Sequence, residues 1–238
     1  MNLYFLVEGT TEAKVYPAWL SHLLPTLTRV KSYDDVERNN YFLISAQGYP
    51  SIIQQHLPTA IEEIRDNGKY NYLVLCLDAD EDTISERQDE IHECIREKKL
   101  ELGNTELVII VQNRCIETWF LGNRQVFPNP KTQPLLDYTR YYNVSEKDPE
   151  NMGKYKGFAT HAKFHQAYLK AIFGARRISY TKSNPGDVLK EEYLEQLRQR
   201  LRDKPGQLPT LGHFLQLCDK IQFLLPLCAF APLRDKIK

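Results

Sequence analysis

The chain carries no surplus of charge. Its 31 Lys and Arg balance 31 Asp and Glu over 238 residues, so no global field announces a nucleic-acid or membrane partner, and any polyanion-binding surface has to be local. It has no apolar run near the ~20 residues that a membrane-spanning helix needs. The first residues, Met-Asn-Leu-Tyr-Phe-Leu-Val-Glu, lack the basic start of a signal peptide and reach an acid after five apolar residues, which reads as a strand, and a cytoplasmic protein is expected. The five cysteines, Cys76, Cys94, Cys115, Cys218 and Cys228, include no CxxC pair. An odd, scattered set argues against a disulfide framework or a zinc site and reads as reduced thiols. No Gly-x-x-x-x-Gly-Lys-Ser/Thr phosphate loop occurs, so no ATPase module is expected in this chain. Internal repeats and low-complexity segments are absent as well.

What is present is an alternation of apolar strands and amphipathic helices. Residues 3–7, 41–45, 72–77 and 106–111 are short apolar runs of the kind buried on both faces of a parallel sheet. Helical spacing connects them. Val15, Trp19, Leu20 and Leu23 make one stripe before Pro25, and Ile53, Leu57, Ala60, Ile61 and Ile64 make another over 52–65. The helix predicted over 84–100 has sparse apolar positions, Ile84, Ile91 and Ile95, and is expected on the surface. This order predicts an α/β fold, a parallel sheet flanked by helices. Beyond Asn123 the character changes. Pro128, Pro130 and Pro134 interrupt the pattern, and helical spacing resumes over 163–173, 185–202 and 211–227. We therefore expect a core over 1–125 and a mainly helical portion over 126–238 packed on it.

Two of the strands end in acid: the first in Glu8-Gly9-Thr10-Thr11-Glu12, the third in Asp78-Ala79-Asp80-Glu81-Asp82. Carboxyl ends of parallel strands are where α/β sheets bind ligands, and a doubly wound order brings strands one and three together. Several carboxylates converging there repel one another unless a hard cation held by oxygen ligands, Mg²⁺ or Mn²⁺, sits among them. Asp78 and Asp80 point the same way if the backbone stays extended. Thr10 or Thr11 is the expected cap of the first helix, with Glu12 in its first turn near the positive dipole end.

Leu-Val-Glu-Gly-Thr-Thr-Glu followed by Leu-Val-Leu-Cys-Leu-Asp-Ala-Asp resembles the Toprim domain of topoisomerases, bacterial-type primases and nucleases of the overcoming-lysogenization-defect type. The resemblance covers roughly residues 1–125 in the order of elements. It implies a four-stranded parallel sheet, Glu8 as proton-transfer residue, and Asp78 and Asp80 as ligands of one or two divalent ions. Glu12 is similar to the second glutamate of a Glu-x-x-x-Glu version that helps bind metal. Cys115-x-Glu117 stands where those nucleases carry Ser-x-Glu, so Glu117 is a further candidate ligand, although a thiol is a poor partner for Mg²⁺. Asp82 is a reserve ligand, with an exposed turn carboxylate as the simpler reading. The resemblance implies a metal-dependent nuclease acting on DNA or RNA, of the stand-alone kind associated with defence against phage and mobile elements. Any ATPase or sensor would be a separate protein.

The second half is basic and rich in tyrosine. Lys182, on a turn before a helix signalled by Ser183, Asn184 and Pro185, and the pair Arg176 and Arg177 are candidate nucleic-acid contacts. Tyr138, Tyr141 and Tyr142 are expected to fill the seam between helices and sheet in preference to stacking on bases. His161 and His165 have the i,i+4 spacing of a metal pair but lack the zinc-protease glutamate, and read as exposed helix residues. Two alternatives stand beside the nuclease. One is a phosphatase of the haloacid-dehalogenase kind, with Asp78 as nucleophile, whose motif ordinarily opens on strand one. The other is a Toprim-like module that binds nucleic acid or a partner without cutting.

Overall fold

The computed structural model describes residues 1–129 and 132–229, the last four of these by their backbone; Pro130 and the Cys228 side chain lie outside this description. Five strands, β1 (Asn2–Val7), β2 (Thr28–Arg29), β3 (Asn40–Ser45), β4 (Tyr72–Asp78) and β5 (Glu106–Gln112), form one sheet in the order β2-β3-β1-β4-β5. Every pair is parallel. The helices are α1 (Glu12–Leu23), α2 (Leu57–Asn67), α3 (Ile84–Glu97), α4 (Ile116–Phe120), α5 (Leu135–Tyr141), α6 (His161–Ala175), α7 (Glu191–Asp203) and α8 (Pro209–Ala229). This is an α/β fold of the Rossmann-like kind with a helical C-terminal part.

The expected four strands are joined by β2. It consists of two exposed residues paired to Asn40 and Tyr41 at the sheet edge, too short and too polar for any hydrophobic period to reveal. From β1 the chain moves to β3 on one side and later to β4 and β5 on the other. The carboxyl ends of β1, β3 and β4 therefore surround the point where the winding reverses, the place at which such sheets bind ligands.

Alternation along β1 divides the interior. Leu3, Phe5 and Val7 face a core shared with α1 and with α4 through α8, and Tyr4 and Leu6 face a second core under α2 and α3. The first core continues into the C-terminal helices through Trp19 stacked on Trp119, which stacks in turn on Phe214. Tyr138 lies against Tyr155, Phe158, Phe164 and Tyr168, and Tyr142 donates to Asp148 O. Tyr141 also packs on Tyr155 and Phe164, yet remains 41 % exposed.

Two helical expectations change. The segment 52–65 opens with a π-helical turn, Ile52–His56, before α2. Pro58 explains it: proline has no N–H for Gln54 O and would crowd that carbonyl in an α-helix, and Lys98 Nζ takes the freed Gln54 O at 2.5 Å. The segment 185–202 is broken into a 3₁₀ turn, Gly186–Leu189, and α7. Helix α3 is also more than a surface helix, since Arg87, Ile91 and Cys94 are buried.

Candidate active site

Glu8 is the residue after β1, and its backbone still belongs to the sheet. Its N–H donates to Cys76 O at 3.0 Å and its carbonyl accepts from Gly48 N at 2.9 Å. Its Oε2 accepts the N–H of Asp78 at 2.9 Å, tying the tips of β1 and β4 together through a side chain. Burial raises the pKa of Glu8, against the lowering effect of that N–H. Thr11 does not cap α1 as expected. It is itself in helical conformation, and its hydroxyl donates to Lys182 O at 3.4 Å. Lys14 Nζ donates to Ser183 O, so the tight turn closed by the Thr181–Asn184 bridge is docked on the start of α1.

Glu12, in the first turn of α1, is 5 % exposed. Burial, with Glu117 and Glu8 nearby, pushes its pKa up to about 7, although its own backbone N–H pulls the other way. Gly9 makes room for this carboxylate, because a Cβ at that position would stand 2.9 Å from Glu12 Oε2. At the end of β4, Asp78 borders the same cavity, but its Oδ1 is closed off from solvent and has no hydrogen-bond partner. Desolvation raises the Asp78 pKa well above its ordinary value, and Glu12, Glu8 and Glu117 raise it further.

The extended Asp-x-Asp did not form. Ala79 N still bonds Gln112 O, but Asp80 has φ of 54° and turns the chain left-handed. Arg114 holds this turn: Asp80 N donates to Arg114 O at 2.9 Å, and Arg114 Nη1 donates to Asp80 O and Asp82 O, both at 3.1 Å. Asp78 thus borders the cavity while Asp80, half-buried, has its charge balanced by Arg87 and Lys182 after desolvation raises its pKa. Asp82 is exposed and ion-paired to Arg87 at 2.7 Å, the turn-carboxylate arrangement and not that of a ligand in the cavity.

Glu117 is brought in by α4. It is 1 % exposed and accepts from Tyr180 Oη at 3.0 Å and Gln166 Nε2 at 3.2 Å. Cys115, just before it, is buried 3.7 Å from Thr118 Oγ1, and burial pushes its thiol well up, which leaves it protonated and inert. Glu8, Glu12, Asp78 and Lys182, together with Ser45 and Gly48, line a cavity of about 710 Å³. Desolvation works against the Lys182 ammonium, but Glu117, Asp78 and Glu12 outweigh it and raise its pKa.

The other sequence candidates lie elsewhere. Arg176, at the end of α6, donates to Gln125 O at 2.8 Å and borders a separate cavity with Tyr193 and Gln196. Arg177 is exposed beside it in left-handed conformation. The two histidines are not a pair of exposed helix residues. His165 is fully buried between Thr118 Oγ1 at 2.8 Å and Met152 O at 3.2 Å, and burial holds its pKa down to about 3. His161, half-buried, meets Glu81 at 3.0 Å. Sequence reasoning missed Arg87, Arg114, Gln166 and Tyr180. Each stands in or beside a segment that had drawn notice, Arg114 next to Cys115, Gln166 next to His165 and Tyr180 two residues before Lys182, but each acts on a partner far away in the chain or from a polar helix.

As the side chains stand, no three His, Cys, Asp or Glu residues among those described close into a metal-holding group. The donors nevertheless suit a hard divalent cation. They are carboxylate oxygens, one of them is buried and unpartnered, and their mutual repulsion already raises Glu12 and Asp78. Compared with known proteins, the chain matches no family model, no curated protein and no solved structure. Among the described residues no helix is long and apolar enough to cross a membrane.

Proposed function

We propose that the chain is a divalent-metal-dependent phosphodiesterase that hydrolyses DNA or RNA, as the resemblance to Toprim nucleases implies. The observation that carries this reading is the unpartnered, buried Asp78 Oδ1 in a cluster with Glu8, Glu12 and Glu117 at the carboxyl edge of a parallel sheet. A structural role alone does not account for it, because gathering four mutually repelling acids, two of them buried, costs stability that a bound cation would offset.

Asp78, Glu12 and Glu117 would hold one or two Mg²⁺ or Mn²⁺ ions, with Asp80 within reach of the same charges. When bound, such an ion polarises a phosphoryl oxygen and offsets the carboxylate repulsion. Glu8, whose pKa burial already raises, would exchange a proton with the attacking water. Lys182, which lines the same cavity and whose charge Glu117, Asp78 and Glu12 favour, would contact a phosphate oxygen and orient the strand. Tyr180 and Gln166 hold Glu117 in place from the helical part. A separate ATPase or sensor protein, and a role in defence, belong to this proposal through the resemblance alone.

The test is cleavage of plasmid, single-stranded DNA, RNA and tRNA with Mg²⁺ or Mn²⁺. Glu8→Gln and Asp78→Asn are each expected to abolish it, while Asp82→Asn is expected to leave most of it. Cleavage unaffected by the first two substitutions would end the assignment. Turnover of small phosphate esters that is lost in Asp78→Asn but kept in Glu8→Gln would transfer it to the phosphatase reading. Metal-dependent binding without turnover would transfer it to a non-cleaving module.

A further inference from the structure

Three large apolar or aromatic side chains among the described residues are exposed: Tyr49 at 42 %, Tyr141 at 41 % and Phe223 at 75 %. Tyr49 differs in its position. It follows Gln47 and Gly48, which line the carboxylate cavity, and Gly48 N is bonded to Glu8 O.

The Tyr49 ring is also held from behind. Arg87 Cζ lies 3.9 Å from the ring centroid, and the Tyr49 hydroxyl donates to Glu90 Oε1 at 3.1 Å. Arg87 is 1 % exposed and cannot move away. It pairs with Asp82 and Glu90, both at 2.7 Å, and donates to Ala79 O at 3.3 Å. The ring therefore has one face on a fixed guanidinium and an exposed side open to solvent. A ring already immobilised loses little conformational freedom on stacking. Through its bonds to Ala79 O and Asp82, Arg87 joins the Tyr49 ring to the turn that carries Asp80, and its charge partly offsets the burial that raises the pKa of Glu8 and Asp80.

We infer that Tyr49 stacks an unpaired nucleobase beside the phosphodiester to be cleaved, which makes the substrate a single strand or a strand with unpaired bases; the inference rests on the phosphodiesterase reading. A base suits this place better than a phosphate does. With Asp82 and Glu90 both on Arg87, the three charged side chains sum to one net negative charge, which repels a phosphate. The ring instead offers an uncharged π-face, with the cation behind it. In a duplex the base faces are already stacked on one another, so an unpaired base is the group with a face to give.

The experiment measures binding by fluorescence anisotropy in Ca²⁺ with three labelled oligonucleotides: a single strand, the same strand with abasic sites at its centre, and a duplex. Tyr49→Ala is expected to weaken the intact single strand roughly ten-fold, the loss of one stacked base. It is expected to leave the abasic strand and the duplex unchanged, and Tyr49→Trp should restore the intact strand. In Mg²⁺ the alanine variant should raise KM with little change in kcat. Equal weakening of the intact and abasic strands, or no weakening, in a chain whose native form still cleaves would overturn the stacking role and leave the phosphodiesterase reading standing. A native chain that neither binds nor cleaves any of the three would overturn both.

Discussion

Replacing Glu12 by Gln is expected to make the metal-free protein more stable at pH 8. Burial raises the Glu12 pKa from 4.5 to about 7, and Glu117 and Glu8 add to it. A carboxyl group that holds its proton more tightly when folded costs nothing below the unfolded pKa. The penalty grows as pH rises from 4.5 toward about 7 and is constant above that. The interval of about 2.5 pH units, at about 1.4 kcal/mol per unit, corresponds to about 3 kcal/mol withheld from the fold by ionised Glu12. Glutamine keeps the shape and removes the charge. For a chain of this length 1 kcal/mol moves Tm by roughly 2–4 °C, so the variant should melt roughly 6–12 °C above the native chain at pH 8 in EDTA. At pH 4.5 most of that difference should vanish. Mg²⁺ at about a hundred times its Kd should stabilise the native chain by about 2.7 kcal/mol and the variant by much less. Thermal and urea melts at the two pH values, with EDTA or Mg²⁺, measure all of this. A Tm difference that is the same at both pH values, or a variant less stable at pH 8, would refute the reasoning, because ionised Glu12 would then be compensated without metal.

The same linkage applies outside the cavity. Glu150 is buried and accepts from Thr210 N and Oγ1 at 3.1 and 2.7 Å, and burial raises its pKa to about 7 despite those bonds; Glu150→Gln should therefore remove about 3 kcal/mol of the stability loss between pH 4.5 and 7, read from urea melts across that range. Arg200, 1 % exposed, donates to Gly122 O, Val144 O and Lys147 O at 3.0, 2.8 and 2.6 Å. Arg200→Lys leaves carbonyls that a single ammonium cannot reach together and should cost about 3 kcal/mol in urea unfolding, whereas a cost under about 1 kcal/mol would show that water replaces the guanidinium.

Strand identity was legible because each core strand is an unbroken apolar run, and parallel sheets bury both faces. The acids were legible for a related reason: Glu8 and Asp78 stand where those runs stop, so their place at the sheet's carboxyl edge follows from topology. Helix continuity was less so. The π turn before α2 depends on Pro58 and on Lys98 arriving from α3. The burial of α3 was hidden because one of its three buried residues is Arg87, a charge that periodicity counts as solvent-facing.

By itself, then, the sequence determined an α/β fold with Glu8 and Asp78 at neighbouring strand ends and Glu12 in the first turn of the helix that follows Glu8, since local apolar period and chain order suffice for that. Only the tertiary structure decided that Glu8, Glu12 and Asp78 share a cavity and where the other acids stand. Asp80 leaves the extended path because Arg114 holds its turn in left-handed conformation, and Asp82 is taken by Arg87. Glu117 is held near Glu12 and Asp78, off the cavity wall, by Tyr180 and Gln166, which lie 63 and 49 residues away along the chain. Such contacts depend on side chains meeting across folded layers, and no spacing within one segment encodes them.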